Sequence, residues 1–203
     1  MRFPIALSLL LCIAPAVFGI RVIVIGIGGA TAAGKTTVSL ALKYILGSKR
    51  TKILHMDLYH KEETAMPVYA NRRPNYDTPD SFRMADFVAD IERARRELSQ
   101  PKPLPDRQEV APPNVPIFPL ANMREHVREE LFDCLDLYRE DTNLPSLDQF
   151  RFLIVEGSFI FASYDIIKML NINVFMDLPR TSILQRRRFQ RLPHLGTLLW
   201  EIR

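Results

Sequence analysis

Apolar residues follow two rhythms along this chain. Short β-branched runs at 20–26, 51–56, 152–155 and 172–176 read as buried strands, and the last three lead into Asp57, Glu156 and Asp177. Elsewhere apolar positions recur every three or four residues. One such stretch predicts a helix over 35–46. A second is predicted to open at Thr78-Pro79, with Thr capping and Pro in the first turn, and to turn Phe82, Ala85, Val88, Ile91, Ala94 and Leu98 inward. A third starts at Asn122, with Glu125 three residues on as a capping-box pair, and turns Val127, Leu131, Leu135 and Tyr138 inward. The proline-rich stretch 101–119 reads as an irregular excursion. Apolar runs that end in carboxylates and alternate with helices predict an α/β domain. Its central parallel sheet is flanked by helices in three layers. Strand two is expected beside strand one. Ligands of such sheets bind at the carboxyl ends of the strands, where Asp57 and Glu156 stand.

The turn after the first strand carries the most specific signal. Gly29-Ala30-Thr31-Ala32-Ala33-Gly34-Lys35-Thr36 fits G-x-x-x-x-G-K-[ST], the phosphate-binding loop, in its required setting of strand, loop and helix. Backbone N–H groups there can curl around a β-phosphate, and the helix that follows points its positive end at the same anion. Lys35 can reach the β- and γ-phosphates, and the Thr36 hydroxyl can ligate Mg2+. A dinucleotide fingerprint is excluded, because Thr31 stands where its third glycine belongs.

Phosphoryl transfer also needs a group that deprotonates the acceptor, and positive charge over the moving phosphoryl. Asp57 is the candidate base. Glu156, in Ile154-Val155-Glu156-Gly157, is the candidate carboxylate for metal or acceptor. Arg186, Arg187, Arg188 and Arg191 cluster on a segment after strand four, where a lid would close. Other chemistries lack support. His55, His60, His126 and His194 have no metal-ligand spacing, and His55 and His60 are expected at the surface or behind a catalytic group. Ser158 has no G-x-S-x-G context. No N-K-x-D-like motif marks a GTPase.

Composition adds limits. The chain has 203 residues, enough for one full core, and a net charge of +4, too small to imply a nucleic-acid partner. Cys12 and Cys134 suggest no disulfide framework, and Cys134 is expected as a buried thiol. Residues 1–19 read either as a secretory signal or as a spurious extension ahead of a kinase domain at 20–203, with extension preferred. The run is too short for a comfortable membrane span. Because ATP-using P-loop kinases of small molecules work in the cytosol, a cytoplasmic location is expected, with a secretory or membrane-associated form left open.

Several segments resemble the nicotinamide riboside kinase family within the uridine kinase-like group. The resemblance runs over about residues 20–192. It rests on the loop from Gly26 to Thr37, on His55-Met56-Asp57-Leu58-Tyr59-His60-Lys61 and on Asn75-Tyr76-Asp77-Thr78-Pro79-Asp80-Ser81. It also rests on Ile154-Val155-Glu156-Gly157-Ser158-Phe159-Ile160-Phe161 and on the run from Arg186 to Arg191. The resemblance implies ATP and Mg2+ as cofactors and a small-molecule nucleoside as substrate. Asp57 would be the base for the ribose 5′-hydroxyl, Asp77 would hold the ribose hydroxyls and Tyr76 would stack on the pyridine ring. Glu156 would serve the metal and acceptor region. Lys35, Thr36 and Thr37 would bind ATP phosphates and metal, and Arg187 or Arg191 would close over ATP. The proline-rich insertion resembles the longer fungal form. After Arg191 the chain departs from the family's lid, which implies a truncated C-terminal part. Two other readings stand beside this one: a uridine or cytidine kinase, and a catalytically impaired ATP-binding protein.

Overall fold

The computed structural model describes residues 20–101 and 149–190. The expectations for residues 1–19, for Cys134, His126 and His194, for the helix at Asn122, for nearly all of the proline-rich stretch and for Arg191 onward lie outside the described residues.

Four parallel strands form one sheet: β1 (Arg21–Gly29), β2 (Thr51–His55), β3 (Phe150–Gly157) and β4 (Ile172–Met176), in spatial order β2-β3-β1-β4. β3 therefore lies between β1 and β2, which corrects the expectation that strand two adjoins strand one. The apolar runs marked the strands but carried no information on which two pair. β1 and β3 also extend past their expected ends. Their glycine-bearing tips stay in register, Gly28 opposite Gly157 and Gly29 opposite Met176 of β4.

The period of two sorts side chains into two cores. Ile23, Ile25, Ile27, Ile53, Phe152 and Ile154 meet Val38, Leu40, Leu42 and Leu46 of α1 (Lys35–Leu46) on one face. Val24, Leu153 and Val155 meet Phe87, Ile91, Ala94 and Leu98 of α2 (Met84–Leu98) on the other. This is the expected three-layer α/β arrangement. The second helix starts at Met84 rather than at Thr78-Pro79. There Pro79–Ser81 forms a single 3-10 turn, and Thr78 makes no side-chain cap. Ile91, Ala94 and Leu98 keep their expected inward places, Phe87 joins them fully buried, and Ala85 faces solvent. Truncating Phe87 to alanine would cost about 3–5 kcal/mol, the usual range for a buried aromatic.

A short helix, α3 (Tyr164–Ile167), leads into β4, and α4 (Arg180–Gln190) follows it. None of the helices among the described residues is long and apolar enough to cross a membrane.

Candidate active site

The glycine loop, Asp57 and Glu156 sit at the carboxyl edge of the sheet, because each lies at or just past the end of a strand. β1 runs into the glycine loop. Gly29 has φ 145°, and a Cβ there would come within 2.5 Å of the Met176 carbonyl oxygen, so only glycine passes β4 at this point. Ala30 and Ala33 close a turn at 3.1 Å. Ala32 is held at φ 64°, a left-handed conformation that costs a non-glycine residue about 1–3 kcal/mol and is retained mostly at functional turns. Gly34 (φ 96°) caps α1 with no side chain over the first turn. The leading N–H groups of the helix are left for an anion.

Lys35 is buried, at 7% exposure. Its ammonium donates to the Ala30 carbonyl oxygen (3.1 Å) and to Ser158 Oγ (3.2 Å), which leaves one of its three N–H donors for a phosphate oxygen. Burial lowers its pKa, and the charges of Asp57 and Glu156 push it back up. Thr36 donates its hydroxyl proton to Glu156 Oε1 at 2.8 Å. The same oxygen lies 2.6 Å from His55 Nδ1. The Thr36 lone pairs are thereby free to face a cation. Hydroxyl and carboxylate oxygens are the hard donors Mg2+ takes, so these residues fit that ion. Thr37 and Thr31 are exposed on the rim of the loop.

Asp57 lies in the 3-10 turn Met56–Tyr59 immediately after β2. It reaches solvent, yet desolvation by the surrounding protein is the main influence on it and raises its carboxyl pKa. The Glu156 charge raises it further, while Lys35, His60 and His55 pull it down. Asp57, Glu156 and Lys35 thus form one electrostatic group.

Tyr76 and Asp77 stand on the loop before α2, both exposed. The Tyr76 hydroxyl donates to the Glu63 carboxylate, and its ring meets His60 edge-on at 5.6 Å. His60 in turn packs on Phe82 at 4.0 Å. Asp77 is paired with Arg187 of α4 at 3.1 Å. Arg187, expected over ATP, therefore reaches the loop before α2. The neighbouring Arg186 leans over the phosphate loop, with Nη1 3.4 Å from the Ala32 carbonyl oxygen.

Three residues have contacts that the sequence does not announce. Arg186 stands in an arginine cluster with no assigned contact, Ser158 offers itself only as a hydrolase nucleophile, and Glu63 carries no motif. His55, expected at the surface or behind a catalytic group, is 2% exposed, which corrects the surface expectation, and its ring lies against Glu156. The alternation of β2 held a signal for it, since Thr51, Ile53 and His55 share one face.

No protein-family profile matches the chain. Among curated proteins it is similar to a uridine kinase of Leuconostoc citreum, 38% identical over 90 residues, or 43% of this chain and 43% of that protein. It is also similar to a uridine kinase of Haemophilus ducreyi, 28% identical over 173 residues, or 83% of this chain and 66% of that protein. The matched stretch thus spans less than two thirds of either relative. Similar solved structures include a "putative fructose transport system kinase" from Silicibacter sp. TM1040. Its TM-score is 0.46 at 13% identity, over 90% of this chain and 77% of that one. A "possible uridine kinase" from Bacillus stearothermophilus gives 0.45 at 15% identity, over 94% of this chain and 88% of that one.

Proposed function

We propose that the chain is an ATP-dependent nucleoside kinase that moves the γ-phosphoryl group to the 5′-hydroxyl of nicotinamide riboside. The products would be nicotinamide mononucleotide and ADP. The observation that carries the kinase reading is the shared carboxyl edge on which Lys35, Thr36, Glu156 and Asp57 meet. Similarity to proteins named uridine kinase supports the same class.

In this reading the N–H groups of residues 29–37 and Lys35 hold the ATP phosphates. Thr36 and Glu156 would hold Mg2+, which supplies charge neutralisation to the phosphates when bound. Asp57 accepts the proton of the 5′-hydroxyl as its oxygen bonds to the γ-phosphorus and the bond to the bridging oxygen of ADP breaks. A carboxyl pKa raised by burial makes Asp57 a better proton acceptor than a fully solvated aspartate. Asp77 offers two acceptor oxygens to a ribose diol. Arg186 and Arg187 supply positive charge from α4.

The choice of acceptor rests on Tyr76. Its ring is exposed and its hydroxyl is bonded to the Glu63 carboxylate. An electron-rich face beside a carboxylate suits a cationic pyridinium better than a neutral base. A uridine or cytidine kinase is the second reading, favoured by the names of the similar proteins.

An ATP-consumption assay on the full chain decides, with nicotinamide riboside, uridine, cytidine and no acceptor in parallel. Turnover several-fold faster with nicotinamide riboside is the expected result. Preference for uridine or cytidine would transfer the assignment to the second reading. Silence with every acceptor, with ATP still bound, would leave a catalytically impaired ATP-binding protein.

A further inference from the structure

Ile27, Glu156 and His55 occupy one row across β1, β3 and β2. Strand alternation turns all three toward the face covered by α1, whose first turn holds Thr36. His55 and Glu156 are each 2% exposed. Two donors from two different elements converge on one oxygen, the Thr36 hydroxyl and His55 Nδ1 on Glu156 Oε1. The other ring nitrogen of His55, Nε2, is buried with no hydrogen-bond partner among the described residues. A buried position needed only for packing is filled at lower cost by leucine or phenylalanine, which have no polar atom to leave unsatisfied. The one hydrogen bond the imidazole makes here is to Glu156.

We propose that His55 is a positioning residue for the phosphate and metal pocket. The terminal torsion of a glutamate is soft, so a single bond from Thr36 leaves the carboxylate free to swing. A second donor on the same oxygen fixes its plane. The Thr36 hydroxyl then stays a donor to Glu156, with its lone pairs left for the cation. His55 touches neither nucleotide nor acceptor. It acts through Glu156, as outer partners of metal-binding carboxylates do. The inference rests on the phosphate-loop part of the proposed function and not on which nucleoside is the acceptor.

The test is Mn2+ binding to the full chain in the presence of ADP, followed by the electron paramagnetic resonance of free Mn2+, with ADP affinity measured separately without metal. His55→Leu is expected to keep its metal-free ADP affinity and to lose Mn2+ affinity by about 10-fold or more, the usual cost of removing an outer partner. His55→Asn, whose amide nitrogen sits on Cγ as Nδ1 does and can donate to Oε1, is expected to recover most of it. A structural pin between β2 and β3 would move melting temperature alone. Wild-type Mn2+ affinity in a folded His55→Leu overturns the proposal, and so does a His55→Asn as impaired as His55→Leu. Should His55→Leu fail to fold, His55→Gln against His55→Asn decides. The longer amide carries its nitrogen one methylene past the Nδ1 position, and equal affinities overturn the proposal. Absence of Mn2+ and ADP binding in the wild-type chain removes this inference together with the phosphate-loop reading. Binding without turnover of any nucleoside removes only the acceptor assignment.

Discussion

Lys35, His55 and Glu156 are 7%, 2% and 2% exposed, and their partners come from the glycine loop, β2 and β3. Tyr76 and Asp77 are exposed and stand on a loop, and their partners, Glu63 and Arg187, are side chains that also reach solvent. The phosphate end is thus held by strand register and buried hydrogen bonds, which keep charges in place before a ligand arrives. Such preorganisation is where electrostatic stabilisation of a transition state is strongest. The end with Tyr76 and Asp77 is held by contacts that water and salt compete with. Under the proposed function the contrast would separate chemistry from recognition: substitutions at the first end should act on transfer, and those at the second on acceptor binding.

Asp57 belongs to both ends, following a buried strand yet reaching solvent, and it should show the largest effect. Asp57→Asn is expected to lower kcat by about 10²–10⁴-fold, the range for losing a general base, with ATP affinity nearly unchanged. Full activity in this variant would remove Asp57 as the base. Burial and the Glu156 charge raise its pKa, so the acid limb of kcat/KM should lie above the reference aspartate value of about 3.9. The same shift has a consequence for stability. A carboxyl whose folded pKa is raised binds its proton more tightly in the fold. The stabilisation this gives is present below about pH 4 and is lost as pH rises through the folded pKa. Asp57→Asn should therefore melt at a higher temperature than wild type at pH 7.5, and the gap should close as pH is lowered toward 4. A destabilised variant at pH 7.5 would contradict this.

Lys35→Met probes the buried end alone. One of the fixed charges on the phosphates disappears, and kcat should fall by about 10²–10³-fold. Desolvation already disfavours the ammonium, so an apolar chain of similar length should leave the melting temperature unchanged or higher. A loss of activity that tracked loss of fold would show that the ammonium is part of the scaffold rather than the chemistry.

The same contrast explains what could be read from the sequence. The glycine loop, its helix and the carboxylates Asp57 and Glu156 were legible because each is local: a turn needs its glycines, a strand its apolar run. The strand order was not legible, since β3 enters between β1 and β2 from nearly a hundred residues downstream and apolar runs do not encode neighbours. The contact of His55 with Glu156 was not legible for that reason, because it exists only once β2 and β3 lie in register. The start of α2 was misplaced because Thr78-Pro79 favours a turn as well as a helix. There the chain makes one 3-10 turn and then pairs His60 with Phe82 before the helix begins. Glu63 and the pairing of Asp77 with Arg187 join segments that no motif links.

The smallest effects are expected at the exposed end. Asp77→Asn should raise the acceptor KM by roughly 10-fold, as when a hydrogen bond to a charged group is weakened, and should leave the KM for ATP unaltered. Arg187→Ala removes the partner of Asp77 at 3.1 Å. Exposed ion pairs contribute about 0–1 kcal/mol, and in a domain of this size 1 kcal/mol moves the melting temperature by about 2–4 °C. The shift should therefore stay within that range and vanish in 1 M salt, where the screening length falls to about 3 Å. A larger, salt-insensitive loss would mean that α4 is docked to the acceptor loop as firmly as Thr36 is to Glu156. The two ends would then differ in exposure but not in rigidity.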